Sequence, residues 1–139
     1  MVTLNNFFKY SDLSGVICLE SASRINNLST FPPLPLMLFT ETKKDRALGY
    51  LNFYTQEEVD LRYTIQAGVN LHFTIPERTI IDLIRYERED RFTFECLEKY
   101  LRSNAKDKLY SVAREYDCML QVLDKLNELD FWLEEQNDY

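Results

Sequence analysis

The segment that most constrains this chain is Phe73-Thr74-Ile75-Pro76-Glu77-Arg78-Thr79-Ile80-Ile81-Asp82-Leu83-Ile84-Arg85, which joins a β-patterned first half to a helical second half. Proline suits the first position of a helix, because its missing N–H would have had no partner there. The same ring holds the preceding Ile75 extended, so a strand ends at Ile75 and a helix begins at Pro76. Glu77 falls in the first turn, where a carboxylate meets the positive end of the helix dipole. Ile80, Ile81 and Ile84 share one face at helical spacing, and Arg78, Asp82 and Arg85 stand three or four residues apart on another. The segment reads as a strand-to-helix corner.

Upstream of the corner, residues 1–15 suit a short irregular or helical lead-in. Between Val16 and Leu28, the residues Ala22, Ile25 and Leu28 can share a helical face, with Asn26-Asn27 as its stop. Phe31-Pro32-Pro33-Leu34-Pro35 is too rich in proline for a helix or a central strand and reads as a stiff extended connector. Leu36 to Thr40 follows as a short buried strand, and Glu41 to Arg46 as a charged loop. Tyr50 to Tyr54 and Leu61 to Ile65 alternate as half-buried strands do. Gln66 to Asn70 supplies a glycine turn and Leu71 to Ile75 returns, giving an antiparallel hairpin that runs straight into the Pro76 helix.

Downstream, Glu87-Arg88-Glu89-Asp90-Arg91 reads as a solvated charge run. Thr93 to Arg102 then gathers Phe94, Leu97 and Leu101 on one helical face. Asp107 to Glu115 packs Leu109 and Val112, with Asp107 as the expected N-cap. The last helix, Asp117 to about Glu135, repeats Met119, Val122, Leu126, Leu129 and Leu133 at spacings of 3, 4, 3 and 4. These elements predict a single α+β domain over residues 1–139. Its β-rich part (1–75) has one early helix and a small antiparallel sheet, and residues 76–139 form a helical, bundle-like part. Hydrophobic residues at 45%, with 9 Phe and 9 Tyr, are ample for its core.

Charge narrows the partners. Residues 1–70 carry six Lys/Arg against seven Asp/Glu (−1), and residues 71–114 carry nine against eight (+1). Residues 115–139 carry Lys125 alone against eight acids (Glu115, Asp117, Asp124, Glu128, Asp130, Glu134, Glu135 and Asp138), so the whole net charge of −7 resides there. A nucleic-acid surface needs the opposite sign to displace counterions from phosphates, so direct DNA binding is not expected. No apolar run reaches the roughly 20 residues that span a bilayer, and no basic-then-apolar leader opens the chain. Cys18, Cys96 and Cys118 are odd in number and lack metal-ligand spacing, as buried thiols of a cytoplasmic protein would be.

Residues for enzyme chemistry are scarce, and no catalytic, cofactor-binding or metal-binding residue is expected. The single histidine, His72, sits in a strand pattern between Leu71 and Phe73 and reads as a structural or exposed strand residue. Without a second histidine or a cysteine pair, no transition-metal site can be assembled. The glycines Gly15, Gly49 and Gly68 build no phosphate-cradling loop. Glu77 and Asp82 stand five residues apart, about 140° round a helix, so they do not converge as a catalytic pair. Arg78 and Asp82 read as a local ion pair worth a few tenths of a kcal/mol.

The last helix admits two uses. Two heptads of its apolar stripe suit a coiled-coil seam or a groove for a partner helix. Leu120, Leu123 and Trp132 widen that stripe, which favours packing on the chain's own domain. The acidic outer face, with Asp124, Glu128, Glu134 and Glu135 beside Trp132, is the candidate partner-binding surface, its alternative being a merely solvated face.

The order of motifs resembles that of the AbiEi-type abortive-infection antitoxins of type IV toxin–antitoxin systems. Gly15-Val16-Ile17 with Ser21-Ala22 matches one family segment, and Pro76-Glu77-Arg78-Thr79 with Asp82 matches a second. Leu97-Glu98-Lys99-Tyr100-Leu101, Lys108-Leu109 and Val112-Ala113-Arg114 resemble the helical tail. The likeness covers residues 15 to about 130. Ile75 departs from the small polar residue that the family places before the proline. With 14 residues ahead of Gly15, the winged helix-turn-helix that such antitoxins use for repression is expected to be absent. The resemblance implies a non-enzymatic antitoxin-like protein of a bacterial, phage or mobile-element defence system, facing a nucleotidyltransferase-like toxin, by contact or otherwise. The residues themselves leave a rival from another class, an acidic phage-encoded inhibitor that mimics nucleic acid and blocks a defence nuclease. A small hydrolase or transferase using His72 or Asp82 is a third reading.

Overall fold

The computed structural model describes residues 14–30, 36–41, 51–56 and 58–137, which build five strands and five helices. The strands are β1 (Gly15–Ile17), β2 (Leu36–Thr40), β3 (Leu51–Thr55), β4 (Thr64–Gln66) and β5 (Leu71–Thr74). The helices are α1 (Leu19–Ile25), α2 (Pro76–Arg85), α3 (Asp90–Leu101), α4 (Asp107–Glu115) and α5 (Met119–Asn137). The class is α+β, with the sheet in the first half and the helices mostly in the second. The lead-in, the proline connector and most of the charged loop expected from the sequence lie outside the described residues.

One sheet runs in the order β3-β2-β1-β5-β4. Only two of its four pairings are antiparallel, β1 with β2 and β4 with β5, while β2–β3 and β1–β5 are parallel. The sheet is therefore mixed rather than antiparallel. Alternating residues report which face a strand buries, not its direction or neighbour. The long-range β1–β5 pairing, which sets Val16 beside His72, has no local signal.

Two of the β assignments shift. Val16 and Ile17 belong to β1, and the early helix starts only at Leu19. Leu61 to Tyr63 form no strand, because Tyr63 turns to positive φ (55°) and pairing with β5 begins at Thr64. The hairpin does run directly into the Pro76 helix, with Thr74 ending β5 and Ile75 extended (φ −68°, ψ 164°) as the N-cap of α2. Gly15 is required where it stands. Its φ is +130°, and a Cβ there would meet the Phe39 carbonyl oxygen at 2.3 Å, so a side chain would force β1 away from β2.

Three helices stop in the same way without glycine. Asn27, Glu87 and Asp117 follow the ends of α1, α2 and α4 at φ of 59°, 50° and 52°. Each is succeeded by a residue whose N–H reaches back five positions: Leu28 to the Ser23 carbonyl, Arg88 to Leu83 and Cys118 to Ala113. This double-bonded stop satisfies carbonyls that would otherwise be orphaned and turns the chain sharply. Asp107, expected as an N-cap, is instead the first residue of α4, where its charge still complements the dipole. Glu89 is the real cap in this region, its carboxylate accepting from the N–H groups of Arg91 and Phe92.

Helix α2 is the hub. It packs against α1, α3, α4, α5 and β5, and every residue from Glu77 to Ile84 is buried. Val16, Met37 and Phe39 of the sheet meet Ile80, Ile81 and Leu83 of α2, with Leu97, Leu109, Val122 and Leu129 supplied by the later helices. Phe39, Tyr54 and Tyr86 close one end as an aromatic trio, with ring centroids 5.4 to 6.2 Å apart.

Candidate functional site

Of the five motif residues of the corner, Glu77, Arg78, Thr79 and Asp82 turn inward and Pro76 is half-buried. The Thr79 hydroxyl is 2.6 Å from that of Thr74 and donates to the Ile75 carbonyl (2.8 Å). The amide nitrogen of Asn26 donates to Thr79 Oγ1 (3.1 Å) and to the Thr74 carbonyl (2.7 Å), tying α1 to the end of β5. Pro76 sets the start of α2. Glu77 leans the other way, accepting from the Tyr100 hydroxyl (2.6 Å) and facing Lys108 (3.7 Å). Glu77 and Asp82 thus engage different partners, as their angular separation requires.

Arg78 and Asp82 are not a surface pair. Their side chains are 1% and 0% exposed, with Arg78 Nε donating to Asp82 Oδ2 at 3.2 Å. The expected few tenths of a kcal/mol applies to solvated helix pairs; here desolvation and full hydrogen bonding decide the energetics. Arg78 also donates to the carbonyls of Asp60 and Arg62, both at 2.7 Å, which pins the loop before β4 onto α2. Arg85 takes the second oxygen of Asp82 (3.1 Å). Tyr116, which ends α4, lies under this cluster, with the guanidinium carbons of Arg62 and Arg85 at 4.2 and 4.7 Å from its ring centre. Its hydroxyl donates to Asp60 (2.8 Å), which Arg62 grips with two nitrogens at 3.0 and 2.9 Å. Tyr63 closes the outer edge by donating to Glu115.

Three arginines (62, 78, 85) face three carboxylates (60, 82, 115), so the cluster is neutral as well as connected. Burial pushes the Asp82 carboxyl up to about 6 against the pull of Arg78 and Arg85. Burial also opposes ionisation of Asp60, but the hydrogen bonds from Arg62 and Tyr116 outweigh it and hold that carboxyl well below the usual carboxylate range. Perturbed carboxyls of this kind occur in active sites and in structural ion networks alike. Here both carboxylates accept hydrogen bonds from groups of the fold.

The charge run after α2 is only partly solvated. Arg88 donates to Glu20 at 2.8 Å and to the Tyr54 hydroxyl at 2.9 Å, joining α1, β3 and the end of α2. Cys18, Cys96 and Cys118 are buried and free, and burial raises all three thiols, Cys96 to about 12, so none has the thiolate character of a nucleophile. His72 is half-buried in β5, and its Nδ1 is a buried nitrogen without a hydrogen-bond partner among the described residues. Among those residues no group of three His, Cys, Asp or Glu is placed to hold a metal ion. Among the described residues no helix is long and apolar enough to cross a membrane.

The other candidate lies on α5. Cys118, Val122, Leu126 and Leu129 are buried, so the apolar stripe packs on the chain's own core. Trp132 belongs to this inner side, half-buried against Phe94 with ring centroids 5.5 Å apart, and is not on the acidic face with which it was grouped. Leu120 and Leu123 do not widen the core stripe. They point outward, 76% and 38% exposed, together with Phe131 at 68%. At 100° per residue, Leu120, Leu123 and Phe131 fall within about 80° of arc on the outer face, spread over roughly 16 Å. Asp124, Glu128 and Glu135 flank this row on one side and Asp130 on the other, Glu134 falls within its arc beyond Phe131, and all five are exposed. The one base of the helix, Lys125, is held by Asp90 and Glu128, both at 2.9 Å. Phe131 was missed because hydropathy assigns a lone phenylalanine to the core; its phase, opposite to Val122 and Leu129, was the available signal. No protein-family model matches the chain, and no curated protein matches it.

Proposed function

We propose that this chain is a non-enzymatic, antitoxin-like protein of a bacterial or mobile-element defence system, acting in the cytoplasm through contact with a protein partner. The observation that carries this reading is the outer face of α5, where large apolar side chains stand exposed inside a frame of acids. Exposed apolar rows rimmed by polar groups are features of interaction surfaces. The charged groups of the corner add support, since Glu77 and Arg78 bind other segments of the fold and Asp82 is held between Arg78 and Arg85. The motif order shared with AbiEi-type antitoxins gives the reading its direction, toward a nucleotidyltransferase-like toxin.

Co-expression with the neighbouring reading frame of the native locus tests it, scoring growth and co-purification. The expected result is a neighbour that is toxic alone, rescue of growth by this chain, and recovery of the two together. A neighbour that is harmless, or growth that is not restored, overturns the antitoxin role.

The second reading is an acidic inhibitor that imitates nucleic acid. It draws on the net charge of −7 confined to residues 115–139. Leu120, Leu123 and Phe131 weigh against it, because a phosphate track is mimicked by acids alone. Reversing the charge at Glu128, Glu134 and Glu135 separates the two, since inhibition that survives the reversal eliminates mimicry.

A further inference from the structure

We propose that the outer face of α5 receives a single helix of the partner, apolar along one edge and flanked on both sides by lysine or arginine. This deepens the protein-contact reading and rests on it. Leu120, Leu123 and Phe131 present knobs at offsets of 3 and 11 residues, which one further helix laid along α5 can cover at the shallow crossing angle of bundle helices. The flanking acids stand where charge pairing selects a helical partner and its orientation. Asp124, Asp130, Glu134 and Glu135 have no ion pair among the described residues, so their charge is free to meet bases.

Charge also excludes the other occupants. The helix carries five acids (Asp124, Glu128, Asp130, Glu134, Glu135) against Lys125, a net −4. A second copy docked on the same face would set these acids against their counterparts. Anionic lipid and nucleic acid are repelled for the same reason. A basic helix has complementary charge, and its association would be fast at low salt and weakened by added salt.

The test uses the full chain and a synthetic peptide of roughly three heptads with leucine at a and d and lysine at e and g, whose like-charged flanks oppose its own pairing. Binding is followed by fluorescence anisotropy of the labelled peptide, alongside a peptide with glutamate at e and g. The expected result is binding of the lysine peptide only, weakened at least about tenfold in a Leu120→Ser/Phe131→Ser variant and, separately, by Glu134→Gln/Glu135→Gln. Both pairs are exposed, so an unchanged thermal midpoint in each variant shows that the fold persists.

Absence of binding, equal binding of the glutamate peptide, or full affinity in the serine variant overturns the proposal. Salt-promoted self-association that Leu120→Ser abolishes would make a second copy the occupant and overturn it equally. The growth assay stays independent: rescue that persists in the serine variant removes the docking face and leaves the antitoxin role standing. Peptide binding without rescue in the native pair removes the role and leaves the face.

Discussion

Helices α2 and α5 handle burial in opposite ways. In α2, Glu77, Arg78, Thr79 and Asp82 lie inside the protein with the isoleucines, each at 5% exposure or less. In α5, Leu120 and Phe131 stand in water at 76% and 68%. Hydropathy alone would invert both. The difference lies in partners: Glu77, Arg78 and Thr79 find hydrogen-bonding groups on other segments, and Asp82 accepts from Arg78 and Arg85 of its own helix, which offsets their desolvation. The exposed apolar groups of α5 have no such internal role, since the core already holds Val122, Leu126 and Leu129 on the opposite side of that helix. One helix holds the fold together, and the other leaves large apolar side chains in solvent.

The sharpest way to break this comparison is Arg78→Met. It leaves Asp82 and the carbonyls of Asp60 and Arg62 without their buried donor, and a loss of about 3–5 kcal/mol is expected by urea denaturation. A loss under about 1 kcal/mol would mean that the cluster is solvated and the contrast between the helices false.

The pH dependence of stability probes the same cluster. Asp82 has a folded value of about 6 against an ordinary 3.8, so between those values the folded chain holds more protons than the unfolded one. Its contribution to stability is therefore full below pH 3.8 and is lost as pH rises through about 6, by at most about 1.4 kcal/mol per pH unit. Asp60 is shifted downward, so its contribution is present above 3.8 and is lost as pH falls below that. Asp82→Asn should flatten the decline on the neutral side, and Asp60→Asn the decline on the acid side. If Asp82→Asn leaves the profile unaltered, the arginines hold that carboxylate ionised throughout.

Thr79→Val keeps the branched shape but removes the hydroxyl that Thr74, Ile75 and Asn26 share. A loss of about 1–2 kcal/mol is expected in chemical denaturation. An unchanged midpoint would assign the corner to Pro76 and packing alone. The smallest effect belongs to α5. Leu120→Ser with Phe131→Ser should stay within about 0.5 kcal/mol of the parent, because both side chains are exposed. A larger loss would place them in the fold and withdraw them from the docking face.

Much of the architecture was legible because its signals are local. Pro76 marked the start of α2 to the residue, with β5 ending at Thr74, one residue before the expected Ile75, and the periodic apolar residues of α5 marked the buried side of the last helix. Asn26 and Asn27 marked the end of α1, whereas Glu87 and Asp117, which take the same left-handed turn, carried no residue signal for it. The sequence by itself determined that strand gives way to helix at Pro76, that Val122, Leu126 and Leu129 share the core side of α5, and that the negative charge gathers at residues 115–139. Only the tertiary structure decided that the Arg78–Asp82 pair is buried, that β1 lies between β2 and β5, and that Leu120 and Phe131 face outward while Trp132 does not. Those outcomes depend on residues far apart in the chain: Asp60, Arg62 and Tyr116 come from other segments to enclose α2, and no periodicity within one segment encodes what another will cover.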